Sequence, residues 1–319
     1  GYPVARVIAQ HRNRLELLSE AGELGLELHV GLPAITVGDW LLLTPEGQFD
    51  RLLERQSLFR RKAAGSKVAE QLIAANIDTL FIVTSLIEDF KLGRIERYLS
   101  LAYEAQTEPV IILSKADLCD DKDSVLNKVQ ALDPLLMIET LNCLDAEDTQ
   151  KLAPWCDFGK TIALMGSSGV GKSTLVNTLL GEKVQFTGSI REDDGKGRHI
   201  TTGRSIHLMP QGGLLLDTPG MRELQLADCD EGVNATFSDI ASLAERCRFG
   251  DCQHDSEPGC AIQIAISRGE LDARRLSNFR KLIKEQAFNS ATLAERRARD
   301  KGFGKMIKAH LSDKKNRNR

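Results

Sequence analysis

The feature that most constrains the fold is the loop GSSGVGKS at residues 166–173. It fits GxxxxGK[ST] without a mismatch, follows an apolar run at 161–165 and precedes a segment typical of a helix. Backbone N–H groups of such a loop, together with the helix N-terminus, bind phosphate. Lys172 would reach the β- and γ-phosphates, and the Ser173 hydroxyl would bind Mg²⁺. The alternative, a glycine-rich turn without a ligand, is disfavoured because strand, loop and helix are all in place. The predicted nucleotide-binding residues of this loop are Gly166, Ser167, Ser168, Gly169, Val170, Gly171, Lys172, Ser173 and Thr174.

A second motif selects the base. Residues 110–117 read VIILSKAD, which resembles the NKxD motif that GTPases carry at a strand end. The Asp117 carboxylate would accept hydrogen bonds from N1–H and the N2 amino group of guanine. Adenine lacks both donors, which would leave buried polar groups unpaired at about 1–3 kcal/mol each. Lys115 would pack its stem on the base. Ser114 replaces the usual asparagine that ties this loop to the phosphate loop, so a looser nucleotide site is expected.

A third motif, LLLDTPG at residues 214–220, fits DxxG at the end of a strand. Asp217 would hold the Mg²⁺ shell and Gly220 would donate its N–H to the γ-phosphate. An ordinary strand-end turn is the alternative, but three matching motifs at three strand ends make coincidence a poor explanation.

The segment before this motif should hold the other nucleotide-sensitive switch, and it reads KGRHITT at residues 196–202. Met221 stands where many GTPases have a water-orienting glutamine, so another residue must orient the water. His199 is the candidate, with a merely solvated histidine as the alternative. Thr201, with Thr202 as second choice, is predicted to bind Mg²⁺ in the triphosphate state.

The order of the motifs is unusual, because the base motif (114–117) precedes the phosphate loop (166–173), which precedes DxxG (217–220). The same sheet forms if the chain is circularly permuted at surface loops. This order places DxxG, whose loop moves on hydrolysis, next to the C-terminal part of the chain.

The strand and helix patterns predict a multidomain α/β protein. Short strands separated by turn signals predict an OB-type β-barrel at the N-terminus, or alternatively an antiparallel sheet packed on the next domain. Strands then alternate with helices, as in a mostly parallel sheet, until about residue 234. The predicted strands lie at 4–9, 14–18, 27–30, 40–43 and 49–53, then at 79–83, 110–113, 135–138, 161–165, 206–209 and 213–216, with helices at 92–105 and 173–180. The predicted domains are 1–62 (barrel), 63–232 (permuted GTPase) and 233–319 (zinc-binding and helical).

A metal site is predicted in CRFGDCQHDSEPGC, residues 247–260. Four nitrogen and sulfur ligands fall within this stretch: Cys247, Cys252, His254 and Cys260. Zn²⁺ in structural sites prefers such a tetrahedral Cys₃His set. Reduced cysteines in a small core are the alternative.

The net charge of −3 conceals a basic tail, because residues 271–319 contain 15 Lys+Arg against 5 Asp+Glu. This tail favours a polyanionic partner such as nucleic acid over a merely solvated helical surface. No apolar run approaches the ~20 residues that span a bilayer, so no membrane partner is expected. Seven cysteines without an export signal argue against a disulfide framework, and a cytoplasmic location is expected.

Taken together, the motifs resemble one family, the RsgA-type GTPases that depend on the small ribosomal subunit. The landmarks are VGDW, ANIDTLFIV, SKAD, GSSGVGKSTL, GRHITT, DTPGMREL and CRFGDCQHDSEPGCAI. The resemblance implies an OB barrel, a permuted GTPase domain and a zinc domain. It also implies binding to the assembling small subunit and its rRNA, assistance in its maturation, and stimulation of GTP hydrolysis by it. Zinc-ligand roles are carried to the four residues above, and switch roles to His199 and Thr201.

The chain departs from the family at Ile200, where members commonly read HTT, and at Ser114. These departures bear on rate and affinity. The resemblance and a lone nucleotide site favour a monomer. Two other functions are weighed: a non-catalytic RNA-binding module that uses GTP/GDP only to order its switches, and a P-loop kinase, for which neither an acceptor site nor a lid is evident.

Overall fold

The computed structural model describes residues 2–62, 70–87, 90–181, 204–217, 221, 224, 226 and 229–290. The chain begins with five strands: β1 (Val4–Gln10), β2 (Arg14–Ser19), β3 (Gly22–Glu27), β4 (Trp40–Leu43) and β5 (Phe49–Leu52). All their pairings are antiparallel, in the order β3-β2-β1-β4-β5. Pairing of β1 with both β2 and β4 is the Greek-key arrangement expected of the OB-type barrel. Its core is formed by alternate apolar side chains such as Leu15 and Leu17, which are almost fully buried.

One barrel strand lies earlier in the chain than predicted. The strand predicted at 27–30 lies instead at Gly22–Glu27, because the turn at residues 20 and 21 reverses the chain at once. The Ser19 hydroxyl stabilises this turn by accepting from the Ala21 N–H, and Gly22 has a φ of 110°. Val30, in the predicted strand, is fully exposed.

A hairpin of β6 (Leu58–Lys62) and β7 (Glu70–Ala75) follows the barrel and was not predicted. Among the described residues its two strands pair only with each other. The domain boundary predicted at residue 62 falls at the end of β6, inside this hairpin. The division into domains stays a prediction.

The central sheet contains β8 (Thr79–Ser85), β9 (Glu108–Ser114), β10 (Met137–Leu141), β11 (Thr161–Met165), β12 (Arg204–Leu208) and β13 (Leu214–Asp217). Its order is β10-β9-β8-β11-β13-β12, and the first five strands are mutually parallel. β12 is antiparallel to β13 and also pairs with β1 of the barrel. All residues of β8 are buried, as expected for a strand covered on both faces. The mostly parallel sheet predicted from the sequence is confirmed.

The helices are α1 (Leu92–Glu104), α2 (Lys122–Gln130), α3 (Ala153–Cys156), α4 (Lys172–Leu180), α5 (Asp230–Thr236), α6 (Ser238–Ala244), α7 (Ala261–Ser267) and α8 (Ala273–Ser290). Predicted helices at 92–105 and 173–180 agree with α1 and α4 to within one residue. Within the described ranges, none of the helices combines the length and apolar character that crossing a bilayer requires.

A buried arginine joins the barrel to the central sheet. Arg6 of β1 donates to the Thr161 hydroxyl and to the Asn76 carbonyl, both at 2.8 Å. Its guanidinium also lies 5.0 Å from the ring centroid of Trp40. Burial lowers the pKa of Arg6 to about 10. Because Thr161 begins β11, this contact fixes the barrel against the strand that leads into the phosphate loop.

A buried carboxylate joins α1 to the C-terminal helices. Glu96 is fully buried and accepts hydrogen bonds from Arg274 at 3.0 Å, Arg275 at 2.9 Å and Asn278 at 2.6 Å. Arg275 also binds Asp239 at 2.6 Å. Separating these charges would leave a buried charge without a partner, which is costly away from water. The cluster therefore disfavours other arrangements of α1 and α8.

Replacing Glu96 by alanine should therefore destabilise the protein by about 3–5 kcal/mol, because two guanidinium groups lose a buried partner. The measurement is urea unfolding followed by far-ultraviolet circular dichroism. Glu270→Ala is the matched control, since Glu270 is 59% exposed and its pair with Arg268 spans 4.0 Å. That change should alter stability by less than about 1 kcal/mol. Equal effects of the two variants would contradict the importance given to the buried pair.

Candidate functional site: a nucleotide cleft at one sheet edge

The predicted motifs meet at one edge of the central sheet. β9, β8, β11 and β13 are parallel neighbours, so their carboxyl ends lie side by side. The base motif follows β9, the phosphate loop follows β11, and β13 ends at Asp217. In open α/β sheets ligands bind outside these carboxyl ends. The fold thus brings together motifs that occur along the chain in permuted order.

The phosphate loop is shaped by glycines and by its lysine. A Cβ on Gly166 would lie 2.2 Å from the Val83 carbonyl oxygen, so only glycine fits there. Gly171, with a φ of 97°, directly precedes the first residue of α4. The buried Lys172 ammonium donates to the Gly166 carbonyl at 2.7 Å and also to the Ser167 carbonyl. Its charge is therefore held inside the loop, where the β- and γ-phosphates of a nucleotide would lie.

Ser114 connects the base motif to the phosphate loop. The residue is fully buried, and its hydroxyl lies 2.6 Å from the Val170 carbonyl oxygen and 3.1 Å from that of Thr84. A hydroxyl donates one hydrogen, and the shorter distance assigns it to Val170. The connection expected to be weakened by the absence of asparagine is thus present, made by a shorter side chain.

The base motif has an unusual backbone. Lys115 adopts a left-handed conformation, with φ 59° and ψ 40°, and opens a short 3₁₀ turn over Ala116–Leu118. Such a conformation in a residue other than glycine costs about 1–3 kcal/mol and clusters at functional sites. Ala116 is buried whereas Asp117 is exposed, so the carboxylate is accessible to a ligand.

A fourth loop, which contains Cys143, borders the cleft and was not predicted from the sequence. Cys143 follows β10, and its carbonyl accepts from the Thr178 hydroxyl of α4 at 2.7 Å. Burial raises the pKa of its thiol to about 12, with smaller contributions from Asp148 and Asp117. A Cβ on Gly171 would lie 3.8 Å from both the Cys143 sulfur and the Ser114 Cβ. The turn formers in Asn142–Asp145 after an apolar strand were the available signal.

The third motif is only partly described. Asp217 is half-buried at the end of β13, opposite Ser205 of β12. Met221 is buried in the core, with 2% of its surface exposed. Its side chain therefore takes no part in orienting water at this position. The other predicted switch residues, His199, Thr201, Thr202 and Gly220, lie outside the described residues.

One arginine at the phosphate loop had no sequence signal. Arg94, in the first turn of α1, donates to the Ser167 hydroxyl at 2.6 Å. α1 begins near the carboxyl end of β8, which lies between β9 and β11. No motif covers this position, and only the fold brings it to the loop.

The predicted metal ligands converge near α7. The ligand atoms of Cys247, Cys252, His254 and Cys260 all lie within 4.8 Å of one another. Cys247 and Cys260 sulfurs are 3.9 Å apart, and they lie 3.5 and 3.6 Å from His254 Nδ1. Two sulfurs bound tetrahedrally to one Zn²⁺ would be about 3.8 Å apart. These four residues could therefore hold a zinc ion with little rearrangement.

The loop at residues 247–260, called here the metal-ligand loop, is held by hydrogen bonds from within it and from α8. The Glu257 carboxylate accepts from the backbone N–H groups of Gln253 and Asp255, at 2.8 and 2.9 Å. Arg280 of α8 donates to the Gln253 carbonyl at 2.7 Å and pairs with Asp255 at 2.7 Å. The loop is thus attached to the same helix that binds Glu96 of α1.

A basic groove of about 350 Å³ lies between α7 and α8. Its charged lining consists of Arg280, Lys281 and Lys284. The basic tail continues beyond residue 290, where the chain lies outside the described residues. The groove offers several cations to an anionic ligand.

Comparison with known proteins now identifies the family. The family model described as RsgA GTPase matches residues 52–227. The chain belongs to the RsgA GTPase family. Membership confirms the resemblance drawn from the motifs and makes the chain a GTP-hydrolysing enzyme that uses guanine nucleotides.

Individual relatives agree with this assignment. Small ribosomal subunit biogenesis GTPase RsgA 2 of Vibrio parahaemolyticus is 63% identical over 313 residues, covering 98% of this chain and 87% of the relative. The RsgA of Mesorhizobium japonicum is 47% identical over 294 residues, covering 89% and 84%. YjeQ from Thermotoga maritima has a similar structure, with a TM-score of 0.66 and 26% identity over 89% of this chain and 98% of YjeQ. YloQ, a circularly permuted GTPase, shares the fold at a TM-score of 0.65 and 21% identity, covering 91% and 97%.

Replacing Ser114 by alanine should weaken GDP binding about tenfold, because the Val170 carbonyl loses its partner and the two loops lose their connection. Titration with a fluorescent GDP analogue measures this. Ser267→Ala is the control, since that exposed hydroxyl donates to a carbonyl of its own helix, far from the cleft. A Ser114→Ala protein that binds GDP as tightly as the unchanged chain would contradict the role given to this bond.

Proposed function

We propose that this chain is a GTPase that binds the assembling small ribosomal subunit through its rRNA and assists its late maturation, with hydrolysis stimulated by the subunit. The observation that carries the nucleotide part is the Ser114–Val170 bond of 2.6 Å, which joins the base motif to the phosphate loop at one sheet edge. The ribosomal part rests on the relatives described as small ribosomal subunit biogenesis GTPases. A monomer in the cytoplasm is part of the proposal.

In this proposal the cleft divides into a base end and a phosphate end. Asp117 accepts the N1–H and N2 amino hydrogens of guanine, and Lys115 packs on the base plane. Residues 166–174 bind the phosphates, with Lys172 at the β- and γ-phosphates. Asp117 is accessible and Lys172 is held inside the loop, which supports both roles.

Magnesium fits the oxygen donors at the phosphate end. Ser173 and Thr201 would hold the ion, and Asp217 would bind its water shell. Ser173 follows β11 and Asp217 ends β13, and these neighbouring parallel strands support the pairing of the two residues. A bound Mg²⁺ neutralises charge that develops on the phosphates.

Water attack on the γ-phosphate needs a residue that orients the water. In the proposal His199 has this role, and Gly220 donates its backbone N–H to the γ-phosphate. The burial of Met221 supports a water-orienting residue elsewhere, because the position after DxxG turns into the core. Slow intrinsic turnover is part of the proposal, since Met221 stands where many GTPases have a water-orienting glutamine.

The ribosomal subunit would be recognised chiefly by charge. The groove beside the metal-ligand loop is lined by Arg280, Lys281 and Lys284. The chain after residue 290 is also basic. RNA phosphates bind such surfaces without a sequence requirement. The rival function, RNA binding without catalysis, is disfavoured by membership of a GTPase family.

A structural zinc ion completes the proposal. Cys247, Cys252, His254 and Cys260 supply four ligands, which leaves no position open for catalysis. The spacing of their ligand atoms supports tetrahedral coordination. The ion would hold the loop between α6 and α7 together, and Arg280 attaches that loop to α8.

The purified chain should hydrolyse GTP slowly and ATP hardly at all, and added small ribosomal subunits should accelerate GTP hydrolysis. Lys172→Ala should abolish turnover, because its ammonium neutralises charge at the β- and γ-phosphates. Phosphate release, measured with and without subunits, checks each statement. Arg268→Ala, whose side chain is 67% exposed, is the control expected to retain intrinsic turnover.

Several outcomes of that experiment would refute parts of the proposal. Equal use of GTP and ATP would refute the role of Asp117. GTP turnover unaffected by subunits, together with no co-sedimentation with them at low salt, would refute the ribosomal partner. Binding that persists unweakened at high salt would refute recognition through rRNA phosphates.

The purified chain should contain about one zinc ion, and Cys260→Ser should lose most of it, because a tetrahedral site needs all four ligands. Elemental analysis by mass spectrometry measures the content. Cys119→Ser is the matched control, since Cys119 is a free cysteine outside the cluster and should leave the zinc content unchanged. A chain that folds fully without zinc after chelation and dialysis would favour the alternative of a small reduced core.

A further inference from the structure

We propose that Arg94 is a positioning residue for GTP hydrolysis, which acts by holding the phosphate loop through the Ser167 hydroxyl. The donor Nη1 and the acceptor Oγ are 2.6 Å apart, although the two residues are 73 positions apart in the sequence. This inference rests on the proposed nucleotide site and adds to it a residue from outside its motifs.

Arg94 acts on the part of the loop nearest the γ-phosphate. The Lys172 ammonium donates to the carbonyls of Gly166 and Ser167, and the lysine of a phosphate loop contacts the β- and γ-phosphates. Ser167 therefore lies beside the position where charge develops during transfer of the γ-phosphoryl group. Two cationic side chains, from α1 and from α4, converge on this one serine.

The helix that carries Arg94 is itself fixed. A Cβ on the adjacent Gly93 would lie 2.8 Å from the Asn278 side-chain oxygen, so α8 packs directly on the first turn of α1. Asn278 also donates to the buried Glu96 carboxylate at 2.6 Å. One turn further, Arg97 pairs with Glu285 of α8. A side chain on such a supported helix is positioned more exactly than one on a loop.

The chemistry predicts which kinetic constant depends on Arg94. Phosphoryl transfer is catalysed mainly by positioning and electrostatic stabilisation, and misplacement of a loop affects the transition state more than the bound ground state. Loss of Arg94 should therefore lower kcat and change KM little. Lysine at this position keeps the charge and a donor but lacks the planar fork of the guanidinium group.

The experiment measures steady-state GTP hydrolysis by the full chain as R94A, R94K, S167A and the double variant R94A/S167A. R94A should lower kcat about tenfold with KM within about threefold. S167A should do the same, and the double variant should lose no more than either single variant, because both changes remove one bond. R94K should retain more activity than R94A. Arg268→Ala, on an exposed side chain, should match the unchanged chain.

An R94A protein with kcat within about twofold of the unchanged chain would overturn the inference. So would a double variant whose loss equals the product of the two single losses. If R94A fails to fold, as judged by thermal melting, an S167A protein with unchanged kcat overturns the inference equally well. Absence of GTP turnover in the unchanged chain would instead refute the proposed nucleotide site, so the two failures are distinguishable.

Discussion

The nucleotide site depends on one constraint of parallel sheets: strands that run in the same direction end at the same edge. β9, β8, β11 and β13 obey this rule, whatever the order in which the chain visits them. Loops after the strands therefore meet, and the connections between strands can be cut and rejoined at distant surface positions. Permutation preserves the cleft because the cleft belongs to the sheet edge rather than to the chain order.

α1 is the element that relates this cleft to the rest of the molecule. Its charged side chains point in two directions: Arg94 contacts the phosphate loop, while Glu96 and Arg97 bind α8. Moving a charge such as Glu96 out of its arginine cluster would leave uncompensated charges in a dry environment. α1 and α8 therefore share one arrangement. The first turn of α1 can shift relative to the phosphate loop only if this buried cluster, or the Arg94–Ser167 bond, rearranges.

Much of the fold could be predicted from local sequence patterns, because an apolar run or a motif occupies only a few consecutive residues. The runs at 161–165 and 40–43 became β11 and β4 with the predicted bounds. The four metal ligands could be predicted because they lie close together in the chain. The third barrel strand was misplaced because the turn before it contains only two residues, so the alternation restarts earlier than the apolar segment at 27–30 indicated.

Contacts between distant residues could not be predicted in this way. The sequence showed that Ser114 departs from the usual asparagine, but not that its hydroxyl still reaches Val170, 56 residues away. Arg94 belongs to no motif, and its approach to Ser167 depends on the packing of α1 against α8. Such contacts arise when tertiary interactions hold one face of a helix and another face of the same helix meets a loop.

Chain connectivity has a further consequence. β12 pairs with both β13 and β1, and the segment after β13 leads to α5, which packs on α1. The two strands that border the switch segments are therefore joined on one side to the barrel and on the other to the C-terminal helices.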